Sequence, residues 1–95
     1  MNVLYTGTFE TWLKKLRDQR AKAAIVSRIE RMEDGNFGDY RSVGGAVSEL
    51  RINVGKGYRA YYTIRRNAVV ILLCGGDKSS QQRDIKLAQQ MAAEL

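Results

Sequence analysis

The run VSELRINVGKGYRAYYT, from Val47 to Thr63, leaves this chain few folds to choose from. Ser48, Leu50, Ile52 and Val54 alternate with Val47, Glu49, Arg51 and Asn53, and a pleated strand sends such sets to opposite faces. After the turn Gly55-Lys56-Gly57, Tyr58, Ala60, Tyr62 and Ile64 alternate with Arg59, Tyr61, Thr63 and Arg65. Two adjacent runs of this kind form an antiparallel pair. One of its faces suits a core, and the other carries Glu49, Arg51, Arg59 and Tyr61, where chemistry is expected.

The flanking sequence says what packs against that pair. Asn2 to Tyr5 reads as a short strand stopped by Gly7. From Thr8, the expected N-cap, Phe9, Trp12, Leu13 and Leu16 recur at the helical period. Their spacing is that of a buried stripe rather than a platform for bases. Asp18 caps a second helix whose stripe is Ala21, Ala24, Ile25, Ile29 and Met32, and Gly35 ends it. Residues 35–46, GNFGDYRSVGGA, keep no period and predict a loop anchored by Phe37 and Tyr40. Neither a P-loop spacing nor a dinucleotide fingerprint is present there.

Beyond the pair, Arg65-Arg66-Asn67 makes a turn and Ala68 to Cys74 is apolar on both alternating faces, as befits a strand in the middle of a sheet. Gly75-Gly76-Asp77 stops it. KSSQQRDIKLAQQMAAEL then forms a closing helix capped by Ser79 or Ser80, with Ile85, Ala88, Met91 and Leu95 along one stripe. The order strand, helix, helix, three strands, helix implies one α+β domain over residues 1–95. The expected form is a twisted antiparallel sheet with its helices packed on one face. The opposite face is then open, displaying Glu49, Arg51, Asn53, Arg59, Tyr61, Thr63 and Arg65, with Lys78 close by.

Composition narrows the chemistry. Sixteen Lys and Arg against ten Asp and Glu give a net charge of +6 and a pI near 9.8, which suits a polyanionic partner. There is no histidine, so the commonest metal ligand and the commonest acid-base group are both missing, and neither a metal nor a cofactor is expected. Cys74, the single cysteine, sits in an apolar run as a small core residue. No run nears the roughly 18 apolar residues of a spanning helix, and MNVLYTGTF lacks the marks of a leader, so a cytoplasmic location is expected. A pair such as Glu49 with Arg59 is also common on any solvated sheet, where it contributes about 0.2 to 1 kcal/mol.

Read together, FETWLKKLRD, RIERMEDGNFGDYRSVGGAVSELRI, GKGYRAYY and LLCGGDKSSQQRDIKLA give the chain a resemblance to the RelE/ParE toxin superfamily. It most resembles the phage-derived, HigB-like branch of addiction module killer proteins. The resemblance implies a RelE-like fold and a toxin neutralised by a neighbouring antitoxin, usually a helix-turn-helix DNA-binding protein. RelE-like members cut mRNA in the ribosomal A site, whereas ParE-like members share the fold and poison DNA gyrase. A toxin fold that only binds its antitoxin is a third reading.

By the same resemblance, Arg59 of Gly57-Tyr58-Arg59 matches the arginine that nuclease members set against the scissile phosphate. Arg51 corresponds loosely to basic positions on the preceding strand, and Lys78 to the basic residue after the last strand. The chain departs in lacking a terminal Tyr or His and in carrying Glu49 and Asn53 where some relatives are basic. Metal-free RNA cleavage needs a base for the 2′-OH, a clamp on phosphorus and a donor to the departing 5′ oxygen. Glu49 is the expected base, Arg59 and Arg51 the clamps, and Lys78 or Tyr61 the donor. Lys56 and Arg65 join Arg51 as RNA-binding residues.

Overall fold

The alternation between Val47 and Thr63 becomes the centre of a five-stranded sheet in the computed structural model, which describes residues 1–95. In chain order the elements are β1 (Asn2–Tyr5), α1 (Gly7–Lys15), α2 (Gln19–Glu33), β2 (Tyr40–Gly44), β3 (Val47–Ile52), β4 (Tyr58–Arg65), β5 (Val69–Asp77), a 3-10 turn (Lys78–Ser80) and α3 (Gln81–Ala93). The strands lie in the order β1-β5-β4-β3-β2. Leu50, Ile52, Tyr58, Ala60 and Tyr62 face α1 and α2 and join Phe9, Ile25, Ile29 and Met32 in the larger core. Each such side chain withdrawn from water contributes about 1.5–3 kcal/mol. No helix is long and apolar enough to cross a membrane.

β5 does not stop at Gly75 as expected but stays paired with β4 through Asp77, and the sheet departs from the sequence expectation in three further ways. It is mixed, because β1 runs parallel to β5, pairing Asn2 with Val69 and Tyr5 with Leu72. The α1–α2 pair serves as the crossover that returns the chain to the far side of the sheet. Second, the expected loop at residues 35–46 contains β2, which pairs antiparallel with β3 and bulges between Ser42 and Gly44. Four of its five residues are exposed. An edge strand wet on both faces has no hydrophobic period to betray it.

The third departure matters most for function. The helices do not gather on one face: α3 crosses the other side of the sheet, where Ala88 and Ala92 pack with Val47, Tyr61, Leu73 and Cys74 in a second core. The face expected to lie open is therefore roofed over most of its length. The buried stripe of α3 is Asp84, Ala88 and Ala92; of the expected set, Ala88 is in it, Ile85 and Met91 flank it partly buried, and Leu95 is exposed. Burial of Cys74 pushes its thiol up to about 12, with the charge of Asp84 adding to the effect, so it stays an inert core residue.

Helix ends follow local chemistry with one shift. Thr6, not Thr8, caps α1: its Oγ1 accepts from the Phe9 N–H at 3.1 Å and donates to the Leu73 carbonyl at 2.7 Å. The same hydroxyl thus starts the helix and pins it to β5. Asp18 caps α2 as its position before an apolar stripe predicts, through the Ala21 N–H at 3.1 Å. Ser80 precedes α3, but its hydroxyl donates to the Asp84 carboxylate, with the Asp77 carbonyl 3.4 Å away, and accepts from no N–H of the helix. Asp77 caps the preceding 3-10 turn through the Ser79 N–H at 2.8 Å.

Both layers close onto the end of β5 because two residues there have no side chains. A Cβ on Gly75 would stand 2.4 Å from the Trp12 ring on the α1 side, and one on Gly76 would overlap the Asp84 carboxylate on the α3 side. The Trp12 indole is too large and too enclosed to step aside cheaply. Gly75→Ala is expected to lower stability by about 1–3 kcal/mol. Urea titration of the purified variant against the parent checks this, with the midpoint falling and the slope unchanged.

Candidate functional site

Register brings the chemistry-bearing residues of β3 and β4 side by side: Glu49 lies opposite Tyr61, and Arg51 opposite Arg59. All four belong to the face that α3 covers, and their fates differ along its length. Glu49 and Tyr61 are completely buried, whereas Arg59 retains 9% of its surface. The expectation of an open platform is corrected here. Small alanines at 88 and 92 let α3 approach closely enough to seal the middle of the face.

Glu49 is the hub. Its Oε1 accepts from Arg41 Nε at 3.0 Å, and its Oε2 from Gln81 Nε2 at 2.9 Å and from the Tyr61 hydroxyl at 3.1 Å. Arg59 Nε stands 3.6 Å from the same Oε2, as an ion pair. Burial by itself raises the Glu49 pKa, but the hydrogen bonds from Gln81, Arg41 and Tyr61 and the charge of Arg41 outweigh it and hold the carboxyl below its usual range. Such a carboxylate has its lone pairs engaged and is a poor base. Tyr61 is held protonated, first by burial and then by the charge and hydrogen bond of Glu49. Its proton already points at Glu49, not outward.

Arg59 is aimed by two contacts. Nη1 donates to the Gly57 carbonyl at 3.0 Å, while Nε, buried and without a hydrogen bond, faces Glu49. The stem of Lys78 lies over the same Gly57, so close that a Cβ there would meet Lys78 Cε at 2.7 Å. Lys78 itself is exposed. Arg59 on β4 and Lys78 in the 3-10 turn thus converge on one residue at the open end of the roofed face.

The other basic residues are dispersed. Arg51 turns toward the sheet edge, where Nη2 and Nε meet Asp39 Oδ1 at 2.9 and 3.3 Å. This ion pair is well exposed, so it is worth no more than about 1 kcal/mol and yields readily to another anion. Lys56 sits exposed in the β3–β4 turn. Arg65 lies about 20 Å away at the far end of β4 by strand rise, with its Nη2 donating to the Ala92 carbonyl at 2.7 Å. It secures the end of α3 and is not part of the same site. Arg41 and Gln81, both partners of Glu49, went unseen in the sequence, because nothing in their local pattern reports a contact made across the sheet.

No group of three or more Cys, Asp or Glu side chains is arranged to hold a metal ion. What the arrangement offers is an anchored guanidinium with an exposed lysine beside it, suited to an oxyanion.

Glu49→Gln removes the charge while keeping the shape. It is expected to cost about 3 kcal/mol at pH 7, since Arg41 and Arg59 lose their counter-ion. Because folding depresses the Glu49 pKa, its contribution is fully present above the unfolded value of about 4.3 and disappears as pH falls through the folded one. Urea midpoints measured from pH 7 downward should therefore show the gap between parent and variant closing below about pH 4.

The family model described as "Phage derived protein Gp49-like" matches residues 11–93. An uncharacterized protein of Haemophilus influenzae is 54% identical over 90 residues, which cover 95% of this chain and 91% of that protein. Since the family match runs from within α1 to the last residue of α3 and so includes the second core, all of the larger one but Phe9, and the Glu49–Arg59 pair, the chain belongs to the phage-derived Gp49-like family.

Proposed function

We propose that this protein is the toxin of a toxin-antitoxin module and acts on mRNA at the ribosome, gripping the phosphate backbone with Arg59 and Lys78. The observation that carries the reading is the convergence of those two cations on Gly57, with Arg59 held from behind by Glu49. Membership of the Gp49-like family and the net charge of +6 support it. In this reading Arg59 stabilises the charge that develops on phosphorus, and Lys78 supplies the proton to the departing 5′ oxygen. Arg51 exchanges Asp39 for a neighbouring phosphate, and Lys56 extends the grip. Glu49 and Tyr61 position Arg59 and do not transfer protons.

With Glu49 engaged, the chain offers no free base at this spot. The 2′-OH proton then goes to a group outside the protein, which favours dependence on the ribosome over cleavage of free RNA. A cognate antitoxin with a helix-turn-helix is the expected partner. The same engagement of Glu49 and Tyr61 favours a second reading, in which the protein inhibits DNA gyrase by binding and needs no acid or base.

Purified protein added to ribosomes programmed with a defined mRNA should cut it, and should leave the same RNA intact without ribosomes. A 2′-deoxy substitution at the cut position should block cleavage. Arg59→Ala should lower the rate by about a hundredfold or more, and Arg59→Lys should recover little, since lysine lacks the guanidinium fork. Uncut mRNA together with loss of DNA supercoiling in induced cells would instead select the gyrase reading.

A further inference from the structure

β5 is longer than the strand beside it. β1 pairs only with Val69 to Leu72, so the side of β5 facing away from β4 has no ladder from Leu73 to Asp77. The last tie on that side is Thr6, whose N–H reaches the Leu72 carbonyl at 3.1 Å and whose hydroxyl reaches the Leu73 carbonyl. None of the remaining backbone hydrogen bonds outside helices and strand ladders involves residues 74–77. Gly75 and Asp77 are partly exposed while Gly76 between them is buried. This stretch forms one wall of a cleft of about 600 Å³ that also takes in Trp12, Lys15, Arg17, Lys56 and Arg83.

The charges around that cleft are unevenly free. Asp18 caps α2, Asp77 is bonded to the N–H and hydroxyl of Ser79, and Asp84 to Ser80, so each of the three carboxylates is already engaged. Lys15, Arg17 and Lys56 make no ion pair, and Arg83 only a long one to Asp84 at 3.9 Å. We propose that the open edge of β5 at Gly75–Asp77 accepts an extended acidic peptide segment of another protein as a sixth strand, with its carboxylates meeting Lys15, Arg17, Lys56 and Arg83.

Main-chain hydrogen bonds along an unpaired edge supply affinity in this mode, and flanking side chains supply selectivity. The three residues Gly75 to Asp77 that line the cleft offer about 10 Å of edge. A second copy of the chain is a poor occupant, because it carries +6 and would oppose like charges. A nucleic acid has no alternating backbone N–H and C=O groups and would leave the strand's amide groups unmatched. A peptide with spaced carboxylates satisfies both the amides and the cations. The proposal requires neither Arg59 nor RNA cleavage, and stands independently of the toxin reading.

The test uses the full chain and a capped, fluorescein-labelled octapeptide of alternating valine and glutamate. Saturable binding by fluorescence anisotropy is expected, with amide hydrogen exchange slowed at Gly75–Asp77 and unchanged along β2. Methylating alternate peptide nitrogens of the octapeptide should abolish binding, since it removes the strand's donors. The doubly substituted Lys15→Glu/Arg17→Glu protein, altered only at exposed positions, should bind about tenfold more weakly. The proposal is overturned if the methylated peptide binds as well as the parent, or if protection appears at another edge. An octameric oligouridylate that protects Gly75–Asp77 where the peptide does not would also overturn it, as would no saturable peptide binding up to about 1 mM.

Discussion

A single carboxylate beneath α3 holds the two layers of this protein in register. Glu49 on β3 receives hydrogen bonds from Arg41 on β2, Tyr61 on β4 and Gln81 on α3, and pairs with Arg59. Burying a charge is costly unless it is met on all sides, and removing one partner of such a set is costlier still. The ionised form is favoured here because the donors and the nearby charge of Arg41 together outweigh desolvation. The three hydrogen-bond donors come from three different elements, so the arrangement exists only when β2, β3, β4 and α3 are all assembled. That requirement fixes the direction of Arg59.

The end of β5 shows a complementary device. Where Glu49 binds layers through polar contacts, Gly75 and Gly76 bind them by absence of side chains, which lets Trp12 approach from one side and Asp84 from the other. The strand can then continue past its neighbour β1 without being wrapped, and its outer edge faces a cleft instead of a helix. Register sets Arg59 opposite Gly76. The guanidinium site and the open edge are therefore neighbours on one end of the sheet.

These features give the Gp49-like family membership a physical content. A basic chain concentrates its anchored arginine, its exposed lysines and its unpaired strand at one end, while the far end is closed by Arg65 on the last turn of α3. Arg51, joined to Asp39 by an exposed pair, stands between the two as a cation that exchanges partners at little cost.

The sequence by itself determined the pieces that depend on local spacing. The β3–β4 hairpin, both early helices, the Asp18 cap, the apolar β5, the closing helix and the burial of Cys74 all follow from periodicity and punctuation within a few residues. It also determined which face of the hairpin packs on α1 and α2, because Leu50, Ile52, Tyr58, Ala60 and Tyr62 alternate cleanly. Only the tertiary structure decided that α3 takes the opposite face, that β1 lies parallel at the edge, and that β2 exists at all. The side on which a helix packs depends on residues far apart in the chain, such as Ala88 against Tyr61, and an exposed edge strand carries no pattern of its own. For the same reason Glu49, polar and on the face read as wet, had the pattern of a solvent-facing residue. A buried charge and an exposed one look alike in sequence when the donors that make burial tolerable arrive from other elements.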